Sequence, residues 1–196
     1  VTPSLNMTKT LHHHFCAWFI VLAFFWPIAA SQSAVADNPN RFVGTVLFMR
    51  HALAPGFGDP DHFFVNDCST QRNLDETGRA QARSIGVKLE LADIKFSAIF
   101  SSHWCRCLET AQLLSLGTVT PFDGLNSFFQ NHAKRDATLA KLRQKLESLS
   151  PIAPPSLMVT HAVTIRAITG LSVASGGMVI YDLKTGKARE LSLSSL

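Results

Sequence analysis

Three short apolar runs in this 196-residue sequence each end in side chains that can handle an anion. Val43 to Met49 stops at Arg50 and His51. Phe96 to Phe100 stops at Ser101 and Ser102, with Arg106 shortly after, and Leu157 to Thr160 stops at His161. Two guanidiniums can bind a phosphoryl group through paired hydrogen bonds that match its oxygens. A neutral imidazole is a nucleophile at neutral pH because histidine titrates near ~6.5. Its attack on phosphorus gives a phosphohistidine that water hydrolyses, while a second, protonated imidazole steadies the charge in transfer. This route calls for no metal and no cofactor. Taken singly, Arg50 and Arg106 read as surface ion-pair partners, and His51 and His161 as hydrogen-bonded structural histidines. Their shared placement at strand ends favours the joint reading.

The elements that must bring them together are legible from periodicity. Val43 to Met49 is continuously apolar and reads as a strand buried on both faces. Asp75 to Leu91 turns helical, with Asp75 or Thr77 as cap and Ala82, Ile85 and Leu89 at helical spacing. A strand over Phe96 to Phe100, a helix over Trp104 to Leu114, and a short strand over Val119 to Phe122 follow. After a loop, a helix runs from about Ala133 to Leu149, then a strand over Leu157 to Thr160 and a helix from about Val163 to Leu171. Met178 to Leu183 and Ala188 to Leu193 read as a terminal hairpin. Strands alternating with helices predict a doubly wound α/β sheet, whose ligands sit beyond the carboxyl ends of the strands.

Composition agrees with one folded domain: 46% of residues are hydrophobic and only 16% are charged, which excludes a highly solvated, disordered chain. The hydrophobicity is uneven, since residues 15–30 carry no charge and hold two of the three Trp. Met7, Lys9 and His12 to His14 ahead of this run, and Ala34-Val35-Ala36 after it, form the three parts of a secretory signal. The expectation is cleavage after Ala36, leaving a domain over 37–196 in the periplasm or outside the cell, with residues 1–6 an upstream extension. An uncleaved anchor is the alternative, although 16 residues interrupted by Pro27 fall short of the ~20 a spanning helix needs. Without Lys9 the basic count drops from 18 to 17 against 14 acidic residues, too small a surplus for a nucleic-acid partner. Lys134, Arg135, Lys141, Arg143 and Lys145, interleaved with Leu139, Leu142 and Leu146, read as the solvated face of a helix. Three cysteines remain, and export predicts a disulfide from Cys68 to Cys105 or Cys107. Cys-x-Cys with scattered histidines is not a zinc pattern.

The same residues carry a family resemblance. Leu47-Phe48-Met49-Arg50-His51-Ala52 resembles the strand and R-H-G that open the histidine phosphatases of the phosphoglycerate mutase-like superfamily. Leu74-Asp75-Glu76-Thr77-Gly78-Arg79-Ala80-Gln81-Ala82 is similar to their L-[ST]-x-x-G-x-x-Q-A, and Ser101-Ser102 with Arg106, Thr110 and Ala111 to their S-S-x-x-x-R-x-x-x-T-A. Val159-Thr160-His161-Ala162 with Ile165-Arg166 matches their S-H-G-x-x-I-R. The resemblance implies a three-layer α/β/α sandwich with a mostly parallel central sheet. It further implies that His51 is the phosphorylated nucleophile, and that Arg50, Arg106 and His161 hold the phosphoryl group.

The departures bear on the substrate. Ala52 and Ala162 stand where the family has glycine. The glutamate of the family's L-N-E segment is replaced by Ser127 in Leu125-Asn126-Ser127, and Ala162 excludes an aspartate directly after the late histidine. Asp123 is the nearest remaining candidate proton donor, with Asp136 further off. A missing acid weighs most on poor leaving groups, so phosphohistidine, acyl phosphate, pyrophosphate and aryl phosphate are the easier substrates. The expectation is an exported phosphoric monoester hydrolase acting on a phosphorylated small molecule or phosphoprotein, with no stable membrane insertion after cleavage. A non-catalytic phosphate-binding domain and a phosphotransferase or mutase are the alternatives. Phe57, Phe63, Phe64, Phe128 and Phe129, in the segments that would wall the site, read as core packing ahead of an aromatic wall.

Overall fold

The computed structural model describes residues 1–3, 41–194 and 196. The expected export segment and its cleavage point lie outside these residues. In chain order the elements are β1 (Thr45–Arg50), α1 (Glu76–Leu91), β2 (Ala98–Ser101), α2 (Cys105–Leu113), β3 (Val119–Pro121), α3 (Arg135–Ser148), β4 (Ser156–Thr160), α4 (Ala162–Thr169), β5 (Met178–Asp182) and β6 (Ala188–Leu191). Each matches an element read from periodicity, with ends shifted by a few residues.

The strands form one six-stranded sheet in the order β3-β2-β4-β1-β5-β6. The pairs β3–β2, β2–β4 and β4–β1 are parallel. The terminal hairpin joins the sheet antiparallel to β1 and forms its far edge. The apolar run of β1 is continuous because the sheet is covered on both faces. Leu47 and Met49 pack with Ile85 and Leu89 of α1 and Cys107 and Ala111 of α2. The alternate residues Val46 and Phe48 pack with Leu142 and Leu146 of α3 and Ile165 of α4. Strand period two therefore divides one sequence run between two cores, and the architecture is a three-layer α/β/α sandwich with a mostly parallel sheet.

Local chemistry sets the helix ends. The Asp75 carboxylate accepts from the Gly78 amide at 2.7 Å and caps α1. Gly78 itself lies where a Cβ would stand 1.9 Å from the Leu53 carbonyl oxygen, so α1 can begin against the segment that follows His51 only with glycine there. Gly170, in the left-handed region with φ 74°, closes α4. On α3, Leu139, Leu142 and Leu146 are buried and the basic residues face outward, with Lys145 half-buried over the Phe100 and Phe122 rings at 5.0 and 5.4 Å.

The disulfide joins Cys68 to Cys105, and Cys107 is a buried free thiol. The bridge fastens the loop between β1 and α1 to the first residue of α2. With its cysteines 37 positions apart, the chain-entropy model predicts that Cys68→Ser with Cys105→Ser lowers unfolding free energy by up to about 4 kcal/mol. Urea denaturation of the double variant beside the oxidised protein measures this, and coincident midpoints would refute it.

Candidate active site

Strand register builds the site. Arg50, the last residue of β1, pairs with Thr160, the last of β4, and Ser101 ends β2 opposite Val159. The hydrogen bonds continue one residue past the strands, from the His51 amide to the Thr160 carbonyl at 2.9 Å and from the Ser102 amide to the Val159 carbonyl at 3.0 Å. His51, Ser102 and His161 thus leave the sheet side by side, and α2 returns Arg106 to the same edge. Arg50, His51, Arg106 and His161 line one cleft, with the His51 and His161 ring centroids 5.5 Å apart.

Hydrogen bonds decide the tautomers. His51 Nδ1 is 2.8 Å from the Ala52 carbonyl oxygen, which can only accept, so Nδ1 carries the proton and Nε2 keeps its lone pair. That lone pair accepts from Arg106 Nε at 3.3 Å. His161 Nε2 lies 2.9 Å from Ser102 Oγ, whose single proton goes to Asn126 Oδ1 at 3.2 Å. His161 Nε2 is therefore the donor, and Nδ1 turns its lone pair toward Arg106 Nη2 at 3.5 Å. Burial, then the charge of Arg106 and the more distant Arg72 and Arg50, push the His51 pKa down to about 3 against its Ala52 hydrogen bond. Burial and Arg106 likewise hold His161 well below the usual histidine range. Both rings are neutral here. Where the strand-end pattern suggested a protonated second imidazole, burial and Arg106 hold His161 neutral in this site, as a hydrogen-bond donor and acceptor.

Two functional side chains lie outside the sequence motifs. The Asp59 carboxylate grips Arg106 with both oxygens, at 2.7 Å to Nη1 and 3.1 Å to Nη2, in a pair with side chains only 4% and 3% exposed. It also accepts from the Trp104 indole at 3.1 Å and the Arg72 amide at 3.1 Å. Burial pushes the Asp59 carboxyl up, but the hydrogen bond and charge of Arg106 outweigh it and hold the group ionised. Arg72 lines the cleft as a third guanidinium, anchored by its Nε to the Gly58 carbonyl at 2.7 Å and by Nη1 to the Ala54 carbonyl. Burial and then Arg106 lower the pKa of both Arg50 and Arg72, the mark of cations crowded into one place. Arg50 Nε is buried with no hydrogen-bond partner, an unsatisfied donor at a cleft where an anion would bind. The only sequence signal for Asp59 was a carboxylate in the run Gly56-Phe57-Gly58-Asp59-Pro60; Arg72 carried none.

The motif residues between these groups are structural supports. Thr110 Oγ1 donates to the Arg106 carbonyl at 2.6 Å and accepts from the Ala52 amide at 3.0 Å, joining α2 to the His51 segment. Gln81 accepts from the Leu53 amide at 2.8 Å and donates to the Ser175 carbonyl at 2.9 Å. Burial raises the Cys107 thiol to about 12, so it stays protonated where it packs 3.4 Å from His161 Nε2.

Among the described residues, none that lines the cleft carries a carboxyl group; Ser127 is there, 3% exposed. Asp123 stands outside it, where the Lys141 ammonium, against a smaller effect of burial, holds its carboxyl below the usual range, with His103 Nε2 at 3.1 Å. That is the form with no proton to donate. Asp136 is 98% exposed beside Arg135. Of the five phenylalanines, Phe63 packs as expected, stacked 5.0 Å from Trp104, but Phe57 and Phe129 line the cleft.

Two predictions follow from this charge balance. Asp59→Asn strands the buried Arg106 charge and should cost about 3–5 kcal/mol of stability, part of which inorganic phosphate restores by supplying negative charge; a thermal melt with and without phosphate measures both. The two histidines set a pH dependence. Their folded pKa values are depressed, so below ~6.5 the unfolded chain binds protons that the native sites refuse, and stability falls as pH falls, for His51 toward its folded value of about 3. Between pH 7 and pH 5 His51 should contribute a loss of about 2 kcal/mol and His161 a loss of the same sign, so His161→Asn should reduce the total loss in denaturant titrations.

A family model for the histidine phosphatase superfamily (branch 1) matches residues 46–128. No curated protein matches the sequence. Among solved structures, an Agrobacterium tumefaciens protein assigned as the phosphohistidine phosphatase SixA is 19% identical, with a TM-score of 0.51 over 76% of this chain and 96% of that one. A mycobacterial glucosyl-3-phosphoglycerate phosphatase is 15% identical, with a TM-score of 0.51 over 75% of this chain and 96% of its own. An Entamoeba histolytica phosphoserine phosphatase variant in complex with phosphoserine is 16% identical, with a TM-score of 0.51 over 76% and 95%. These likenesses show the shared fold. The family model, matched over the first histidine, the second motif and Arg106, makes the chain similar to the histidine phosphatase superfamily across those residues.

Proposed function

We propose that this protein is a phosphatase working through a phosphohistidine on His51, releasing inorganic phosphate from a phosphoric monoester or a related phosphorylated substrate. The observation that carries the reading is the unprotonated Nε2 of a neutral, Nδ1-anchored imidazole beside Arg50, Arg72, Arg106 and His161. The three guanidiniums, against one compensating carboxylate, favour a phosphate dianion and the charge that spreads over its oxygens in transfer. Arg50 offers a free Nε, Arg106 stands against the attacking Nε2, and Arg72 adds charge from the loop wall. His161 donates through Nε2 to Ser102, which leaves Nδ1 facing the cations and the transferred group. The positive end of α4, which begins at Ala162 on the cleft wall, adds to the same field. Similar structures include a phosphoserine phosphatase and a protein assigned as a phosphohistidine phosphatase, which supports phosphoryl chemistry here.

Without a carboxyl group on the cleft wall, the leaving group departs unassisted. That favours acyl, aryl and imidazolyl phosphates over sugar phosphates, since general acid catalysis is worth about 10²–10⁴-fold. The same absence favours a second reading, a domain that binds phosphate without turning it over. Action in the cell envelope rests on residues 7–36, and a disulfide between Cys68 and Cys105 accords with an oxidising compartment.

Turnover of acetyl phosphate separates the two readings. The phosphatase releases phosphate in the presence of chelator, loses that activity to background in His51→Ala, and yields an acid-labile phosphoenzyme on His51 when quenched. Phosphate binding without turnover would establish the second reading. Asp123→Asn and Asp136→Asn should each change kcat/KM by less than about twofold, because neither carboxylate reaches the cleft; a larger loss in steady-state assays would restore that residue as an acid.

A further inference from the structure

We propose that Phe57 and Phe129 form a subsite for the aromatic ring of a leaving group, which makes aryl phosphates the preferred substrate class. The proposal rests on the phosphohistidine reading of His51. Both rings line the same cleft as His51, and they meet edge to face with centroids 5.2 Å apart at 81°. Phe57 is 89% exposed and Phe129 37% exposed, so the pair leaves apolar surface in water at the mouth of a cationic cleft.

The rim is held in place. Gly56 and Gly58, at φ 90° and 71°, turn the chain on either side of Phe57 in a way that side-chain-bearing residues resist. Arg72 Nε fixes the Gly58 carbonyl. Gln130, next to Phe129, accepts from the Asp59 amide at 2.7 Å and donates to the Asp59 carbonyl at 3.3 Å, so two loops distant in sequence are bonded side by side. Asp59 is also the residue that grips Arg106, which couples the aromatic rim to the phosphoryl-binding cation.

The chemistry of the leaving group points the same way. As Nε2 of His51 forms its bond to phosphorus, the ester P–O bond breaks and its electron pair goes to the departing oxygen. No carboxyl group on the cleft wall protonates that oxygen. A phenolate delocalises the pair into its ring and leaves unaided, whereas the strongly basic alkoxide of a sugar does not. Water then attacks phosphorus, the N–P bond breaks, and dihydrogen phosphate leaves carrying both water protons. One of these passes to the phenolate in solution. A planar ring against Phe57 and Phe129 gains offset or edge-to-face contacts that a small acyl group cannot make.

The test compares kcat/KM of the full chain for phenyl phosphate, hexafluoroisopropyl phosphate and acetyl phosphate. The first two have leaving groups of similar acidity, and only the first has a ring. The wild type should favour phenyl over hexafluoroisopropyl phosphate by about tenfold. Phe57→Ala and Phe129→Ala should each lower that ratio severalfold, and Phe57→Tyr, which keeps a ring, should preserve it. A wild-type ratio near one, or a ratio untouched by both alanine substitutions, overturns the subsite while acetyl phosphate turnover leaves the phosphatase reading standing. Failure to turn over acetyl phosphate overturns both. A ratio untouched by the substitutions together with dimerisation lost in Phe57→Ala would assign the exposed rings to a second copy of the chain instead.

Discussion

The carboxylate of Asp59 is what allows three guanidiniums to share one sheet edge. In a site sheltered from water, like charges repel far more strongly than in bulk solvent, and here Arg106 depresses the pKa of both Arg50 and Arg72. Asp59 meets this by taking the outer fork of Arg106 with both oxygens, leaving Nε of the same guanidinium to face His51. The carboxylate is itself held by the Trp104 indole and the Arg72 amide, so the pair is satisfied on both sides. The loop after β1, the start of α2 and the cation-lined cleft depend on this contact, and the Cys68–Cys105 bridge fastens the same two segments covalently.

From that charge arrangement the state of the histidines follows. Two buried imidazoles beside three cations stay neutral, and hydrogen bonds to the Ala52 carbonyl and to Ser102 select one tautomer for each. In the proposed reaction, an imidazole of this kind needs no base to prepare it. The site is strong in positive charge and, among the described residues, has no carboxyl group on its wall, a combination that suits the proposed transfer of a phosphoryl group from a leaving group already stable as an anion. The alanines that replace two glycines beside the histidines are accommodated: Ala52 is fully buried and Ala162 opens α4 on the cleft wall.

Much of this was readable beforehand, for identifiable reasons. Val46 to Met49 is apolar at every position because its neighbours cover both faces, and that run signals a central strand wherever the partners come from. Arg50, His51, Arg106 and His161 were legible because each ends a strand, follows one, or stands in the first turn of the next helix, places that an α/β fold gathers to one edge. Asp59 and Arg72 were not, since they sit in an irregular loop where spacing carries no period and the partner residues are distant in sequence. The proximity of Asp123 to the lost glutamate position misled for the same reason. Nearness along the chain did not bring its carboxylate into the cleft, and Lys141 holds it elsewhere. Phe57 and Phe63 share one loop and similar surroundings in sequence, yet Phe63 stacks on Trp104 and Phe57 faces solvent at the cleft.

Residue order by itself determined the alternation of strands and helices, the two-faced burial of the sheet, and the set of strand-end groups suited to a phosphoryl anion. These are local matters, written in periods of two and 3.6 and in the residues that stop each run. Tertiary structure alone decided which cysteine closes the bridge, which carboxylate balances the cations, which nitrogen of each histidine keeps its lone pair, and which phenylalanines reach the cleft. Each of those depends on distance and dielectric between segments far apart in the chain, and neither quantity exists until the sheet has brought them together.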